Sequence, residues 1–384
     1  MLGCRQCQEL GIITANIDEV KTTPLVLNST VVKSTQEVNN FKGIPVLFRQ
    51  SRTLPGEKYH IQLIDNPVPV IHPPRTVPLH ILPLYRAELD KMIADDVITK
   101  VEKPTEWVNS VVCNIMETSN GEKKIRLCLD PKDLNKNIRR EHYYTRNIDE
   151  HLPLLHGKKF FSVVDTKKGY WHVELDDDSS FPCTFNTPFG RYRFKRLPFG
   201  VILSQDIFQR KLDEVYRGIP NVMGIADDIV VCGTTESEHD HAFIEMLEAT
   251  RAHNVSLNSG KLQFKQSKVN FFGHTLTDKG IQPAEDKLEA IRNMKTPSNV
   301  KELQTFLGMV TYLNRYSSKL AILTAPLRKL TEQNVRVKWK PCHQQALTQI
   351  KEELCSAKIL SYYDSCPATP AILQCDASHI GIGA

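Results

Sequence analysis

The stretch NVMGIADDIVVCG, residues 221–233, decides how this 384-residue chain is expected to fold. Within this stretch, one short apolar run precedes two adjacent carboxylates, Asp227 and Asp228, and a second apolar run, Ile229 to Val231, follows them. Such runs predict buried strands, and their short separation predicts a tight hairpin with the carboxylates at its tip. A plain hairpin turn stays an alternative because Asp is common in turns, although Asp-Asp is then normally followed by Gly, whereas Ile229 follows here.

Adjacent carboxylates in a partly buried place create an electrostatic problem. Two unit charges about 4 Å apart repel by about 4 kcal/mol at an effective dielectric near 20, so the pair needs a cation or a raised pKa. Oxygen ligands alone select Mg²⁺ or Mn²⁺. A third carboxylate, Asp165, ends the β-rich run FFSVVD at residues 160–165. If the strands are neighbours, the three carboxylates can meet in a two-metal site for phosphoryl transfer; unrelated positions are the alternative.

The same tetrapeptide, Ile-Ala-Asp-Asp, occurs a second time at residues 93–96 and serves as an internal comparison. Apolar residues recur around it at helical spacing: Tyr85, Leu89, Met92, Ile93 and Val97. This period predicts an amphipathic helix over residues 85–98. Asp95 and Asp96 are then expected on its solvated face.

Composition excludes several classes of protein. With 41% hydrophobic and 24% charged residues, the chain has the composition of a globular protein rather than a disordered one. Its 384 residues predict two or three domains. Ten cysteines are too few for a disulfide framework, and Cys4 and Cys7 lack a second ligand pair for zinc. Without a signal peptide or a run of about 18 apolar residues, the expected location is cytoplasmic or nuclear, not secreted, with no membrane partner.

Local patterns predict the other elements. The first 75 residues and the Pro-rich run 67–83 predict an irregular linker that wraps a surface. A hairpin is predicted over 107–130, and helices over 204–216 and 236–253. Asn299 and Glu302 form a capping-box pattern ahead of a further helix.

The net charge of +5 is concentrated in two clusters. Residues 121–146 carry eight Lys or Arg against four acids, and residues 191–196, RYRFKR, combine four cations with two aromatics. These patterns predict contacts with phosphates and bases, while an edge strand protected by cations is the alternative for the second cluster. His239 and His241 are two residues apart and would point to nearly opposite sides of a helix, so a solvated helix start is favoured over a metal pair.

Nine ordered segments resemble the reverse transcriptase region of gypsy-type LTR retrotransposon Pol polyproteins, over nearly the whole chain. They are RLCLDPKDLNK (126–136), FFSVVDTKKGYWHVELD (160–176), FNTPFGRYRFKRLPFG (185–200), DIFQRKL (206–212), GIADDIVV (224–231), VSLNSGKLQF (255–264), FFGHTL (271–276), GIQP (280–283) and ELQTFLGMVTYLNRY (302–316). The resemblance implies an α+β right-hand polymerase with fingers, palm and thumb, a helical connection region and a truncated RNase H start.

The resemblance also implies a division into six segments. These are an aspartic protease remnant (1–13), a linker and N-terminal extension (14–84), fingers and palm (85–235), palm end and thumb (236–296), the connection region (297–370) and the first strand of RNase H (371–384). Neither protease nor RNase H activity is expected, because the catalytic protease motif and most RNase H carboxylates are not in this sequence.

Site residues follow from the resemblance, position by position. Asp165, Asp227 and Asp228 would be the catalytic, metal-binding triad. The incoming dNTP would contact Arg126, Lys124, Tyr170, Phe199, Gly200 and Gln209, with Arg126 suited to bidentate phosphate contact and Tyr170 as the gate against a 2′-OH. Phe272, Gly273 and His274 would form the primer grip. Lys261 would either donate a proton to pyrophosphate or be an ordinary surface lysine.

The function implied is an RNA-directed DNA polymerase that adds dNTPs to the 3′-OH of a primer on an RNA or DNA template, with Mg²⁺ or Mn²⁺. The alternative is a decayed or co-opted nucleic-acid-binding remnant. Three places depart from the family pattern: Ile225 replaces the usual Tyr, Met116-Glu117 replaces Lys-Lys, and Leu203-Ser204-Gln205-Asp206 replaces Ser-x-Ala-Pro.

Overall fold

The computed structural model describes residues 53–117, 121, 123–332, 338–356, 359–364, 376–378 and 381–383. The chain divides into two units. The first comprises Met1–Arg146 and Ser162–Lys265, and the second comprises Asn147–Phe161 and Gln266–Ala384.

Strands and helices alternate irregularly in the first unit, as expected for an α+β fold. Its strands, including the two at its boundaries, are β1 (Ile98–Lys100), β2 (Ser110–Glu117), β3 (Lys123–Asp130), β4 (Phe160–Asp165), β5 (Thr184–Thr187), β6 (Gly190–Phe194), β7 (Val222–Ile225), β8 (Asp228–Gly233) and β9 (Gln263–Gln266). Its helices are α1 (Leu82–Ala94), α3 (Asp177–Ser180), α4 (Ser204–Val215) and α5 (Glu236–Ala252).

A four-stranded sheet with the order β7-β8-β4-β9 supports the predicted hairpin. The β-branched residues of β8, Ile229 to Val231, are fully buried, which is why this run forms a central strand. Helices α4 and α5 pack on the sheet through side chains such as Phe208 and Phe243. The hairpin predicted around the adjacent carboxylates is confirmed, because β7 and β8 pair antiparallel with Ile225 opposite Asp228.

A closed polar network fastens α5 and β9 to β4. Ser162 Oγ lies 2.8 Å from His239 Nε2, and His239 Nδ1 lies 3.0 Å from Asp240 Oδ1. Lys265 closes the network, because its Nζ donates to Asp240 at 2.7 Å and its backbone N–H donates to Ser162 Oγ at 2.8 Å. The prediction of a solvated helix start is therefore wrong for His239, which is fully buried, and right for the exposed His241.

The second Ile-Ala-Asp-Asp copy lies across the end of a helix, with Ile93 and Ala94 in the last turn and both carboxylates beyond it. Helix α1 ends at Ala94, and Ile98 already belongs to β1, so the predicted helix is too long. Asp96 is exposed and pairs with Lys195 at 2.5 Å. The Asp95 side chain is only 8% exposed and accepts from Lys168, so its predicted solvation is wrong.

A smaller three-stranded sheet, β1-β6-β5, and the hairpin of β2 and β3 share a second core with α1. The hairpin predicted over 107–130 is confirmed. The aromatics of residues 191–196 belong to this core, since Tyr192 and Phe194 are buried. They cannot stack on bases, so that part of the second basic-cluster prediction is wrong. Arg193 and Lys195 pair with Asp177 and Asp96, which supports the strand alternative.

The second unit combines a β-meander with helices. Strands β10 (Lys268–Phe271), β11 (His274–Thr277) and β12 (Gly280–Pro283) form the meander, and β13 (Asp376–Ser378) pairs with β14 (Gly381–Gly383). The helices are α2 (Ile148–His151), α6 (Glu285–Asn293), α7 (Val300–Tyr312), α8 (Leu320–Arg328) and α9 (Pro341–Cys355). Asn299 caps α7 by accepting from the backbone of Glu302, which confirms the predicted helix start.

Several predictions lie outside the described residues. They include the protease remnant over 1–13, the Cys4–Cys7 pair and residues 14–52 of the predicted linker. The described residues 53–78 contain no helix and pair with the rest of the first unit through isolated bridges such as Tyr59 to Leu175. Among the described helices, none has the length and apolarity needed to cross a lipid bilayer.

Candidate active site

Two neighbouring strands position the three predicted catalytic carboxylates. Asp165 ends β4, Asp228 begins β8, and Asp227 lies in the turn just before it. The turn is fixed on β4, because the Thr166 N–H donates to the Asp227 carbonyl at 2.7 Å and the Thr166 hydroxyl donates to Asp227 Oδ1 at 3.0 Å. Strand pairing therefore brings Asp165 close to the adjacent pair, which sequence alone left open.

Asp165 is held by polar groups from the loop before β9. Lys261 Nζ lies 2.7 Å from Asp165 Oδ2, and Asn258 Nδ2 donates to Asp165 Oδ1 at 3.3 Å. The same loop is anchored by the Asn258 N–H, which donates to the Asp165 carbonyl at 2.8 Å. Lys261 is therefore neither an isolated surface lysine nor buried, since its side chain is 65% exposed.

The carboxylates affect one another's ionisation. Burial raises the pKa of Asp227, and the charge of Asp165 raises it further. Burial likewise raises the pKa of Asp228, with added repulsion from Asp165 and Asp227. Lys261 opposes both shifts, and its own pKa is raised by its hydrogen bond with Asp165. A cluster with these properties stabilises any cation that enters it.

The side chains stand apart from ideal metal-ligand positions. Among the described residues, no three His, Cys, Asp or Glu side chains are close enough together to hold a metal ion. Asp165 is turned to Lys261, and Asp227 is turned to Thr166. The donor chemistry still fits Mg²⁺ or Mn²⁺, because the three groups are hard oxygen ligands on adjacent strands, and the Lys261 ammonium already supplies positive charge to them.

Gln209 fixes the hairpin from the helix behind it. Its Oε1 accepts from the Ala226 N–H at 2.8 Å, and its Nε2 donates to the Gly224 carbonyl at 3.1 Å. Ala226 has a positive φ of 54°, a conformation that costs a non-glycine residue free energy and needs such support. Asp213 orients the Gln209 amide, whose Nε2 lies 2.8 Å from Asp213 Oδ1.

The segment after Asp165 makes a short 3₁₀ turn over Gly169–His172. A Cβ on Gly169 would overlap both Asp227 Oδ1 and the Phe208 ring, so only glycine allows this close approach. His172 ties the turn to the loop that carries Lys261, because its Nδ1 lies 2.8 Å from the Gly169 carbonyl and its Nε2 accepts from the Ser256 N–H at 2.8 Å. This pattern defines a neutral imidazole.

Aromatic rings form a wall beside the carboxylates. The Tyr170 and Phe199 ring centroids are 4.7 Å apart, and the Arg126 guanidinium lies 4.1 Å over the Phe199 ring. Burial raises the pKa of Tyr170, and the charge of Asp227 raises it further while that of Arg126 lowers it. Three predicted nucleotide contacts, Tyr170, Phe199 and Arg126, are thus brought together within reach of Asp227.

The remaining predicted nucleotide contacts lie at the edge of this group. Gly200 has a φ of 105°, and a Cβ there would overlap the Leu129 carbonyl. Asn135 fixes its loop by donating to the Gly200 carbonyl at 3.0 Å. Lys124 is exposed on β3 opposite Met116, two residues before Arg126 on the same face, and no contact with the carboxylates is seen for it among the described residues.

The predicted primer grip lies in the second unit, at the turn between β10 and β11. Phe272 is 42% exposed, whereas His274 is buried. Two tyrosines hold the turn. His274 Nδ1 lies 2.6 Å from the Tyr316 hydroxyl, His274 Nε2 lies 3.1 Å from the Tyr312 hydroxyl, and Tyr312 donates to the Phe272 carbonyl at 3.1 Å. Gly273 is the second residue of this two-residue turn and has a φ of 78°.

Sequence reasoning missed the residues that orient the others. They are Thr166, Asn258, His172, Asp213, Gln205, Tyr312 and Tyr316. Several lie inside the nine segments that carry the family resemblance. Their position in those segments was the one sequence feature that could have marked them as part of the site. Asp213 lies one helical turn after Gln209 and could have been found from that spacing. The other contacts join the site to residues distant in sequence, which no spacing rule identifies.

The fold is of the α+β class and has the right-hand architecture of polymerases. Residues 103–276 match the family described as reverse transcriptase (RNA-dependent DNA polymerase), and residues 339–384 match the RNase H-like domain found in reverse transcriptase. The foamy viral protease-reverse transcriptase solved with double-stranded DNA has a similar fold, with a TM-score of 0.75 at 20% identity over 89% of this chain and 64% of that one. The structure of that protein solved with an RNA/DNA hybrid gives the same TM-score, with 49% of it covered.

The chain therefore carries a reverse transcriptase domain over residues 103–276, and it is similar to polyproteins of gypsy-type LTR retrotransposons. The Tf2-7 and Tf2-8 transposon polyproteins of Schizosaccharomyces pombe are each 30% identical to it over 274 residues, or 71% of the chain. The chain spans about a fifth of the length of these relatives, since 20% of each is covered. The RNase H-like match begins inside the predicted connection region, and the six-segment division stays a prediction.

Proposed function

We propose that this chain is an RNA-directed DNA polymerase that adds dNTPs to the 3′-OH of a primer annealed to an RNA or DNA template. The observation that supports this most strongly is the position of Asp165, Asp227 and Asp228 on two adjacent strands, where burial and mutual repulsion create a demand for cations. Family membership of the surrounding domain gives independent support.

The three carboxylates would hold two Mg²⁺ or Mn²⁺ ions. When bound, such ions supply positive charge that activates the attacking hydroxyl and stabilises the displaced oxygens of a phosphoryl transfer. Gln209 and Thr166 keep the Asp227 turn in place for this role. Lys261, which lies against Asp165, gives the carboxylates a counter-charge in the metal-free protein.

The aromatic wall and its cations would bind the incoming nucleotide. Arg126, spread over Phe199, presents a planar guanidinium that suits bidentate contact with the triphosphate, and Lys124 adds charge from the same face of β3. Tyr170 would lie against the sugar and exclude a 2′-OH. In the second unit, Phe272 and its neighbours Gly273 and His274 would hold the primer end.

Primer extension tests the proposal. The chain is incubated with Mg²⁺, dNTPs and a labelled DNA primer on an RNA template, and we expect Asp227→Asn to lower incorporation by at least about a hundredfold, because losing even an outer partner of a metal ligand costs 10–100-fold. The matched control is Asp96→Asn, the same change in the other Ile-Ala-Asp-Asp tetrapeptide, which should extend primers like the wild type. A wild type that binds template-primer but leaves it unextended would support the non-catalytic remnant instead.

A further inference from the structure

The phenol of Tyr170 has a polar anchor that the proposed chemistry does not use. Its hydroxyl donates to Gln205 Oε1 at 2.8 Å. Gln205 lies on the first turn of α4 and within Leu203–Asp206, the tetrapeptide in which this chain departs from the family pattern. The contact therefore belongs to this chain's own residues rather than to the shared motif.

The anchor completes the restraint of the Tyr170 ring. Phe199 lies 4.7 Å from its centroid in a tilted arrangement, and Phe208 meets it edge-on at 5.8 Å. These apolar contacts hold the ring plane but give little resistance to sliding along it, because aromatic pairs have broad, weakly directional minima. The hydrogen bond to Gln205 fixes the far end of the ring, since a phenol donates one bond in a defined direction.

Helix α4 relates this anchor to the carboxylates. Gln205 and Gln209 are four residues apart and so lie on one face of the helix. Gln209 holds the Asp227 turn through Ala226, while Gln205 holds Tyr170. One rigid element thus sets the distance between the aromatic ring and the carboxylates.

The distance between the Tyr170 ring and the carboxylates limits which nucleotides the proposed site can accept. Tyr170 packs on Phe199, which lies under the Arg126 guanidinium, and the backbone of the neighbouring Gly169 approaches Asp227. The ring is therefore close both to the cation proposed to bind the triphosphate and to a carboxylate proposed to hold the metal ions. A sugar attached to those phosphates would face the ring, and a fixed ring leaves less room for an extra hydroxyl than one that can shift.

We infer that Gln205 is a positioning residue that holds the Tyr170 ring and thereby sharpens the discrimination of deoxyribonucleotides from ribonucleotides. This inference rests on the proposed function. It assigns no contact between Gln205 and the nucleotide, so its effect is expected in the selectivity ratio more than in the rate with the preferred substrate.

Single-nucleotide incorporation measures the effect directly. The kcat/KM for a dNTP and for the matching rNTP is determined with the full chain, template-primer and Mg²⁺, for wild type, Gln205→Met, Tyr170→Phe and the double variant. Met has a similar volume to Gln but offers no strong acceptor, and Phe removes the same hydrogen bond from the other side. Lys211→Met, a change at a half-buried residue of the same helix that pairs only with Glu214 among the described ion pairs, is the control.

The inference predicts that Gln205→Met lowers the dNTP-to-rNTP ratio about fivefold, which is the factor that one net hydrogen bond is worth. Tyr170→Phe should lower it to a similar extent and the double variant no further, because both remove one interaction. A Gln205→Met enzyme that incorporates dNTP and discriminates like the wild type would overturn the inference. A wild type that incorporates no dNTP at all would overturn the proposed function and this inference with it, which is a different result.

Discussion

At the carboxylates, burial and ionisation oppose each other. Asp227 and Asp228 are partly buried next to Asp165, and the pKa of each is raised first by burial and then by neighbouring negative charge. Lys261 offsets part of this repulsion through its contact with Asp165. In the metal-free protein, the ionised carboxylates therefore lower the free energy of unfolding, a cost that is common in active sites.

Asp228→Asn is expected to stabilise the metal-free protein while it abolishes DNA synthesis. A carboxyl whose folded pKa is raised favours folding fully below its unfolded pKa of about 3.9, and that contribution is lost as the pH rises through the folded pKa. The neutral amide does not ionise, so we expect a gain of roughly 0.5–2 kcal/mol at pH 7. Denaturant unfolding with a chelator measures this.

The exposed Asp96→Asn variant is the matched control for stability, and we expect a change within about 0.5 kcal/mol. The effect of Asp228→Asn should shrink as the pH is lowered towards 4, because the wild-type carboxyl then becomes neutral as well. An Asp228→Asn protein that is less stable than the wild type at pH 7 would contradict this description of the site.

His172 is expected to make the first unit sensitive to acid. Burial, aided by the charge of Arg196, lowers the pKa of His172 to about 4. A histidine with a lowered folded pKa stabilises fully above its unfolded pKa of about 6.5, and the contribution, up to about 3 kcal/mol, is lost as the pH falls from 6.5 to 4. His172→Gln should therefore flatten the dependence of unfolding free energy on pH over this window.

Denaturant titrations at pH 7, 6 and 5 measure that dependence. The comparison variant is His241→Gln, in which an exposed histidine is removed and the wild-type slope should persist. If His172→Gln keeps the full slope as well, the buried neutral imidazole is not its origin.

The position of a single residue was predictable where the neighbouring residues in the sequence also surround it in the fold. The apolar strands around Asp227 identified it as a special position, and the same runs form the buried sheet. Asp95 and His239 were predicted wrongly, because their surroundings come from distant residues: Asp95 meets Lys168, and His239 meets Ser162. Helical spacing gives the face of a side chain but not what covers that face.

Among the elements, helix α4 connects most of the candidate site. Asp206 pairs with Arg140 at 2.9 Å, and Asp213 accepts from Tyr143 at 2.8 Å, so the segment before α2 is fastened along this helix. The same helix presents Gln209 to the carboxylate hairpin. The period of α4 was readable from the sequence and its bounds were predicted to within one residue, whereas its polar contacts were not.

Tyr316→Phe is expected to loosen the turn between β10 and β11 in the second unit. The variant leaves the buried His274 Nδ1 without its partner at 2.6 Å, and an unsatisfied buried group costs about 1–3 kcal/mol. Hydrogen exchange of the Phe271–His274 amides should speed up accordingly. Tyr363→Phe, an exposed tyrosine of the same unit, should leave that exchange unchanged.

If these amides exchanged at the wild-type rate in the Tyr316→Phe protein, the hydrogen bond between Tyr316 and His274 would not be what holds this turn. Burial lowers the pKa of His274 to about 4, so the imidazole stays neutral and needs both a donor and an acceptor among its neighbours. Tyr312 and Tyr316 provide them. The motif that contains both tyrosines was recognised by resemblance, but its contact with the turn was not predictable from spacing.

For the whole molecule, the small positive net charge is less informative than its distribution. Many cations of the two predicted clusters have internal partners: Arg139 pairs with Asp65, Arg140 with Asp206, and Lys195 with Asp96. Lys124 and Arg126 lie on one face of the β2–β3 hairpin with no ion pair among the described residues. Charge counting along the sequence could not separate these two groups, since the pairing is set by the fold.

Fold class and family were accessible from the sequence because nine segments occur in order at family spacing. The bounds of α4 and α5 and the position of both hairpins followed from hydrophobic period. What sequence could not give is the mutual placement of Asp165 and the Asp227–Asp228 pair, which depends on the strand order β7-β8-β4-β9. Strand order is a long-range property that local patterns do not encode.

The most direct measurement is the melting temperature of the chain bound to dNTP and a chain-terminated template-primer, with Mg²⁺ and with a chelator. If the three carboxylates form one cation site, Mg²⁺ should raise the melting temperature of the wild type by several degrees, since a ligand at about 100 times its Kd adds about 2.7 kcal/mol. The Asp227→Asn protein should show little or none of this rise. An equal rise in both proteins, or none in either, would contradict the account.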